Sequence, residues 1–89
     1  MSEAQLELPA RLEGAALAPL RLQLLEAGGS DLTLQGAGVE RINGLGLQLL
    51  AAAALTRRAA GQRLLIADPS TTLAAALARI PEAFETTEE

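Results

Sequence analysis

Few side chains in this sequence are of the types that perform catalysis. The chain contains no His, Cys, Tyr or Lys, so it lacks the commonest general base, the thiolate and amine nucleophiles and most good metal ligands. Asp68 has no such group to work with, and because Pro69 follows it, we expect it to form a turn. The sequence therefore predicts a protein that is not an enzyme, with no catalytic residue, metal site or cofactor.

A glycine-rich segment at residues 36–41 resembles a phosphate-binding loop at first sight. Gly36 and Gly38 follow a predicted strand, and glycines at such a place let the backbone approach a pyrophosphate. Arg41 replaces the third glycine of the dinucleotide-binding pattern, and the acidic candidate for a ribose partner, Asp68, lies too far along the chain. A glycine-rich turn explains the segment better.

Two further polar groups are predicted to cap helices. Asn43 precedes a run rich in Leu and Ala, so its side chain is expected to accept hydrogen bonds from amides of the first helical turn. Asn43 and Gly44 together would also suit a hairpin turn, but the helical run that follows favours the cap. Ser70 or Thr71 is expected to cap a third helix, with phosphorylation of this hydroxyl run as the less favoured alternative.

The elements that must position these groups follow from apolar spacing. Alternation predicts strands at residues 5–8 and 31–35, and a continuous apolar run predicts a central strand at residues 63–67. Helices are predicted at residues 14–27, regular from about Ala18 because Pro19 suits a first turn, at residues 44–60, and from the Ser70 cap to Pro81.

This order of elements defines the expected fold class. Strands and helices alternate, which predicts an α/β protein: a small single domain with a mostly parallel central sheet and helices packed on it. The core would consist mainly of Leu and Ala, with Phe84 as the single aromatic residue. We expect the domain to occupy residues 1–81, followed by an acidic tail at residues 82–89, in a modestly stable monomer.

Charge and hydropathy exclude several partners. Net charge is −4, but four of the acidic residues follow Ile80, so the predicted domain is neutral. Without a basic excess or stacking aromatics, nucleic-acid binding is not expected. The longest nearly apolar run, residues 45–55, is shorter than a spanning helix needs, and no signal peptide is visible. We expect a cytoplasmic protein without direct membrane insertion.

The predicted second helix, residues 44–60, has an unusual surface. It carries no charged side chain before Arg57 and Arg58, which suit its negative C-terminal end, whereas a surface helix normally shows a polar face. We expect part of this helix to contact another molecule. The alternative is that alanines on a solvated face are harmless in an Ala-rich chain.

A family resemblance centres on the same region. Residues 39–52, VERINGLGLQLLAA, resemble the signature segment of STAS domains, the fold of bacterial anti-sigma-factor antagonists, where a strand ends in an Asp-Ser/Thr-Ser/Ala-Gly-Leu turn that opens a Leu-rich helix. The resemblance covers residues 6–80 and includes the segments LLEAG, DLTLQ and GQRLLIADPS. It implies a compact α/β adaptor that docks on a regulator, with phosphorylation of the turn hydroxyl switching binding off.

The chain departs from the family pattern at the switch itself. Aligned on Gly46 and Leu47, the family's Asp falls on Asn43 and its phosphoacceptor on Gly44, while Gln35 stands where the preceding strand often ends in an acidic residue. Glycine cannot accept a phosphate, and a phosphate there would add about −1.5 to −2 charges. Binding is therefore predicted to be constitutive or regulated by abundance.

The resulting hypothesis is a non-enzymatic STAS-type adaptor in signal transduction or transcription regulation. Its partner would be an anti-sigma factor, a histidine-kinase or chemotaxis complex, or the ATPase of a membrane lipid transporter. The partner-binding residues are predicted to be Asn43, Gly44, Leu45, Leu47, Gln48 and Ala52. Alternatives are a homodimer, through the Ala-rich helix face or an edge strand near Leu6, and a small ligand bound in a pocket near Asn43 and Gly46.

Overall fold

Four parallel strands form the main sheet. The computed structural model describes residues 3–87. Along the chain the elements are β1 (Glu3–Glu7), β2 (Arg11–Leu12), α1 (Leu17–Glu26), β3 (Asp31–Gln35), β4 (Arg41–Ile42), α2 (Gly44–Ala59), β5 (Leu64–Ala67), α3 (Thr71–Leu77) and β6 (Glu85–Thr87). The sheet order is β1-β3-β5-β6, with every pairing parallel. This confirms the α/β class, the edge position of β1 and the interior position of β5.

The three helices begin and end close to where the sequence predicts. A 3-10 turn at Gly14–Ala16 leads into α1, which places Pro19 in the first α-helical turn, where its missing N–H costs no helical hydrogen bond. The left-handed residue Gly61, with φ of 77°, lies just beyond α2 and ends it. Ser70 caps α3, which is shorter than predicted and stops at Leu77.

A second, two-stranded ladder was not predicted. β2 and β4 pair in parallel, Arg11 with Arg41 and Leu12 with Ile42. No strand is predicted from the sequence in either segment, and Arg41 lies in the predicted glycine-rich turn. Two residues are too few to show any periodicity, so the pattern could not reveal them. The ladder matters for the site because it ends directly before Asn43 and buries Leu12 completely.

The core is built of leucine. The fully buried large side chains are Leu12, Leu20, Leu32, Leu34, Leu50, Ile66 and Leu73. The apolar spacing of two helices places Leu25 with Leu24 in α1 and Ala74 with Leu73 in α3, but Leu25 is 61% exposed and Ala74 is exposed. Each helix is covered by the sheet along a narrower stripe than the apolar spacing suggests, since small and apolar residues continue onto the solvent face of an Ala- and Leu-rich helix.

The predicted acidic tail is corrected for residues 82–87. A 3-10 turn at Pro81–Ala83 is followed by β6, which extends the sheet beside β5. Phe84 is half-buried and packs against the leucine core, and the Arg63 guanidinium binds the Glu85 carboxylate with an Nη2 to Oε2 distance of 2.9 Å. The sequence does not reveal β6, because the strand consists of Glu and Thr residues and shows no apolar alternation. Glu88 and Glu89 lie outside the described residues.

No helix within residues 3–87 combines the length and apolar character that crossing a membrane requires.

Candidate functional site

The turn before α2 is held by a side-chain cap. Asn43 has extended backbone angles, φ −107° and ψ −179°, and its Oδ1 accepts a hydrogen bond from the Gly46 amide at 2.8 Å. Its own amide donates to the Leu12 carbonyl at 3.3 Å. The predicted cap is confirmed, and it satisfies an amide that would otherwise lack a helical partner. The turn is fixed on one side to β2 and on the other to α2.

Gly46 fixes the position of α2 against β2. The glycine is buried, and a Cβ at this position would collide with the Leu12 carbonyl group. The first turn of α2 therefore lies directly on the β2 backbone, closer than any side chain would allow. In the sequence, Gly46 serves only to align the chain with the family pattern. Its packing role could not be predicted, because that role depends on β2, which the sequence does not reveal.

The predicted partner-binding residues separate into a surface group and a core residue. Leu47 is only 6% exposed and belongs to the hydrophobic core, so its assignment to the binding surface was wrong. In the first turn of a helix lying on β2, it faces inward beside Gly46. The other five are exposed and are called the α2 surface here: Asn43, Gly44, Leu45, Gln48 and Ala52.

The α2 surface is uncharged and contains one large apolar side chain. Leu45 is 65% exposed, the highest value among the exposed large hydrophobic residues. Gly44 opens the helix, and a Cβ added there would have no heavy atom within 4 Å. The position equivalent to the family's phosphoacceptor is thus open to solvent and has space for a side chain that the sequence does not supply.

The two arginines at the end of α2 behave differently from each other. Arg58 is exposed, with its Nη2 donating to the Glu82 carbonyl at 3.0 Å. Arg57 is only 5% exposed, and its Nη2 donates to the carbonyls of Leu24 and Ala27, at 3.2 Å and 3.0 Å. Arg57 thereby caps the C-terminal end of α1, a role that the sequence analysis missed by assigning it to the end of its own helix.

The positive charge of Arg57 is only partly compensated by the groups around it. The Nε of this arginine is buried and has no hydrogen-bond partner in the described part of the chain, and burial lowers the pKa of its guanidinium below the usual value for arginine. The ion pairs formed within residues 3–87 join Arg41 to Glu13 and Arg63 to Glu85, so no carboxylate there balances Arg57.

Polar groups at the end of β5 have structural roles. Ser70 Oγ accepts from the Leu73 amide at 3.0 Å, which confirms the predicted cap of α3. Asp68 has a left-handed backbone, φ 54°, and its amide donates to the Thr87 carbonyl, in agreement with the predicted turn. No three carboxylate or other metal-ligating side chains of residues 3–87 lie close enough together to hold a metal ion.

Two concave sites of the described residues lie away from the α2 N-terminus. One is a groove of about 420 Å³ between α1 and α2, and the other, of about 250 Å³, lies between α3 and Phe84. Neither is lined by Asn43 or Gly46, where the small-ligand alternative placed its pocket.

In comparisons with known proteins, the chain matches no family model, no curated protein and no solved structure.

Proposed function

We propose that this protein is a STAS-type regulatory adaptor, without enzymatic activity, that binds a protein partner through the α2 surface. The observation that carries the proposal is an exposed, uncharged turn held in one conformation by the Asn43 cap and the Gly46 contact with Leu12. Such a turn loses little conformational entropy on binding, which favours its use in recognition.

The composition of the α2 surface supports a protein partner. Leu45, with 65% of its area exposed, offers an apolar anchor, and the amide groups of Asn43 and Gln48 offer hydrogen bonds around it. A central apolar contact bordered by polar groups is typical of protein interfaces, and charged residues are depleted at interface cores.

The partner classes remain those that the family resemblance implies. They are an anti-sigma factor, a histidine-kinase or chemotaxis complex, and the ATPase of a membrane transporter, all reached from the cytoplasm. Because Gly44 bears no hydroxyl, docking on any of them would be constitutive rather than released by phosphorylation. Neither the α1–α2 groove nor the site beside Phe84 lies at the helix N-terminus, where the small-ligand alternative needs a pocket.

Affinity capture with matched variants tests the proposal. The tagged chain is incubated with extract of its native cell, and the retained proteins are identified by mass spectrometry and then purified for a direct binding measurement. Gln48→Arg places a charge in the α2 surface, whereas Gln23→Arg makes the same change on an exposed position of α1. We expect one partner to be retained by the wild type and by Gln23→Arg and lost with Gln48→Arg.

Gly44→Asp separates docking from folding. A carboxylate at the first position of a helix is favourable for helix stability, and the space around Gly44 is open. The variant should therefore fold at least as stably as the wild type while losing the partner. Equal retention by Gln48→Arg and Gly44→Asp, or elution of the wild type alone or only with itself, would refute the adaptor function.

A further inference from the structure

The groove between α1 and α2 is lined mainly by apolar residues together with two arginines. Its volume, about 420 Å³, falls within the range of about 300–1,000 Å³ typical of small-molecule sites. Leu24, Leu25, Leu49 and Ala52 are among its apolar lining residues, while its charged lining residues are Arg21 and Arg57. None of the Asp and Glu residues that the structure describes lines the groove, although the whole chain carries a net charge of −4.

Arg57 is a buried cation that lines this groove. The residue is only 5% exposed. In the described part of the chain its guanidinium forms no ion pair with a carboxylate, and its Nε has no hydrogen-bond partner. A buried cation is favourable only when an anion or hydrogen-bond acceptors compensate for lost hydration. Two carbonyls of α1 supply part of this compensation, and an anion in the groove would supply more.

We propose that the α1–α2 groove binds a linear alkyl carboxylate, of the class of a medium-chain fatty-acid anion. The alkyl chain lies along Leu24, Leu25 and Leu49, and the carboxylate lies between Arg21 and Arg57. This ligand matches both properties of the groove, an apolar lining and two arginines that form no ion pair with the described residues. The site is separate from the helix N-terminus, and the inference does not rest on the adaptor function, since it concerns the isolated chain.

Small residues in the lining leave room for a single alkyl chain. Gly28, Ala52 and Ala53 contribute to the lining, and because their side chains are small or absent, a space remains between α1 and α2 for a flexible apolar chain. Leu25, 61% exposed, lies at the same site and would lose solvent contact when the groove is filled. The lowered pKa of Arg57, caused by burial, would rise towards its ordinary value beside a carboxylate.

Titration of the isotope-labelled full chain with decanoate, followed by amide NMR shifts, tests this site. We expect saturable shifts confined to the end of α1 and to the α2 residues of the groove. Octanoate, two methylene groups shorter, should bind roughly fifteenfold more weakly, because each buried methylene contributes a factor of about four. Decyltrimethylammonium, with the same alkyl length and the opposite charge, should not bind there.

Two variants with matched controls make the test specific. Arg21→Glu reverses one charge of the groove and Ala52→Phe fills it, so each should weaken decanoate binding about tenfold or more. Arg79→Glu and Ala59→Phe make the same changes at exposed positions outside the groove and should bind like the wild type. The amide spectrum of each variant reports whether it is folded.

Several outcomes would overturn the proposal. They are the absence of saturable decanoate binding, shifts centred outside the groove, equal binding of the cationic analogue, and unchanged binding by folded Ala52→Phe. A failed partner capture leaves this result unaffected, because no partner takes part. The groove shares Ala52 with the α2 surface but is not lined by Asn43, Gly44 or Gln48. Loss of decanoate binding in Arg21→Glu therefore has no bearing on docking through those three residues, so the two failures are distinguishable.

Discussion

Gly46 of α2 lies against the backbone carbonyl of Leu12 so closely that a β-carbon at position 46 would collide with it. The contact joins the short β2–β4 ladder to the first turn of the longest helix. Because the obstacle is backbone rather than a flexible side chain, relief requires α2 or β2 to move. The position of the α2 surface therefore depends on the absence of one methyl group.

Gly46→Ala is expected to destabilise the protein by about 2 kcal/mol or more, since overpacking against rigid atoms outweighs the gain in helix propensity. The measurement is urea unfolding followed by circular dichroism. Gly44→Ala is the matched control in the same helical turn: no atom obstructs its Cβ, so its stability should stay within about 1 kcal/mol of the wild type or rise. Equal effects of the two variants would contradict the contact.

Asn43→Ala should cost about 1 kcal/mol, because the Gly46 amide loses its acceptor. Asn43→Asp keeps an acceptor oxygen and adds a negative charge at the helix N-terminus, so it should equal or exceed the wild type. Thermal unfolding of the three proteins at neutral pH measures this order. A stable Asn43→Ala variant would mean that the cap contributes nothing to the fold.

Arg57→Leu should destabilise the protein by about 1–3 kcal/mol, since the carbonyls of Leu24 and Ala27 lose their shared donor. Arg58→Leu is the neighbouring control. Its hydrogen bond to the Glu82 carbonyl is exposed, so the loss should be near zero by comparison. Unfolding midpoints in urea compare the two, and similar losses would show that Arg57 does not hold the end of α1.

The pair of Arg63 and Glu85 should make stability depend on acid pH. The hydrogen bond from Arg63, and then its charge, hold the pKa of the Glu85 carboxyl below the ordinary value of 4.5. The unfolded chain therefore binds the proton first as pH falls. The contribution is fully present above about pH 4.5 and is lost as pH falls through the lowered pKa of the folded state.

Glu85→Gln should consequently flatten the acid limb of a plot of unfolding midpoint against pH, measured from about pH 3 to pH 6. Arg63→Gln should flatten it to the same extent and return the Glu85 pKa, followed by NMR, to its ordinary value. An unshifted Glu85 pKa in the wild type would exclude the pair in solution.

The sequence predicted those elements whose signal spans several turns or an unbroken apolar run. α2 and its Asn43 cap, β3 and the interior strand β5 lie within a few residues of the expected bounds. β2 and β4 were missed because two residues carry no period, and β6 was taken for a tail because its exposed edge consists of Glu and Thr.

The exposure of the predicted partner-binding residues could be predicted only in part from the sequence. Five of the six expected residues are exposed, yet Leu47 is in the core, since a run of Leu around a glycine does not show which side faces the sheet. The buried role of Arg57 had no sequence signal. Its partners are carbonyl groups of α1, about thirty residues away along the chain.

The all-parallel pairing of the main sheet also determines how the chain can reach this structure. Leu32 pairs with Ala4 on one side and with Leu64 on the other, so no strand of this sheet meets its neighbour through a tight hairpin. Each pairing closes a long loop that contains a helix, and the entropy of closure must be lost before any ladder hydrogen bond forms. Folding should therefore be slower than in a helical bundle of this length.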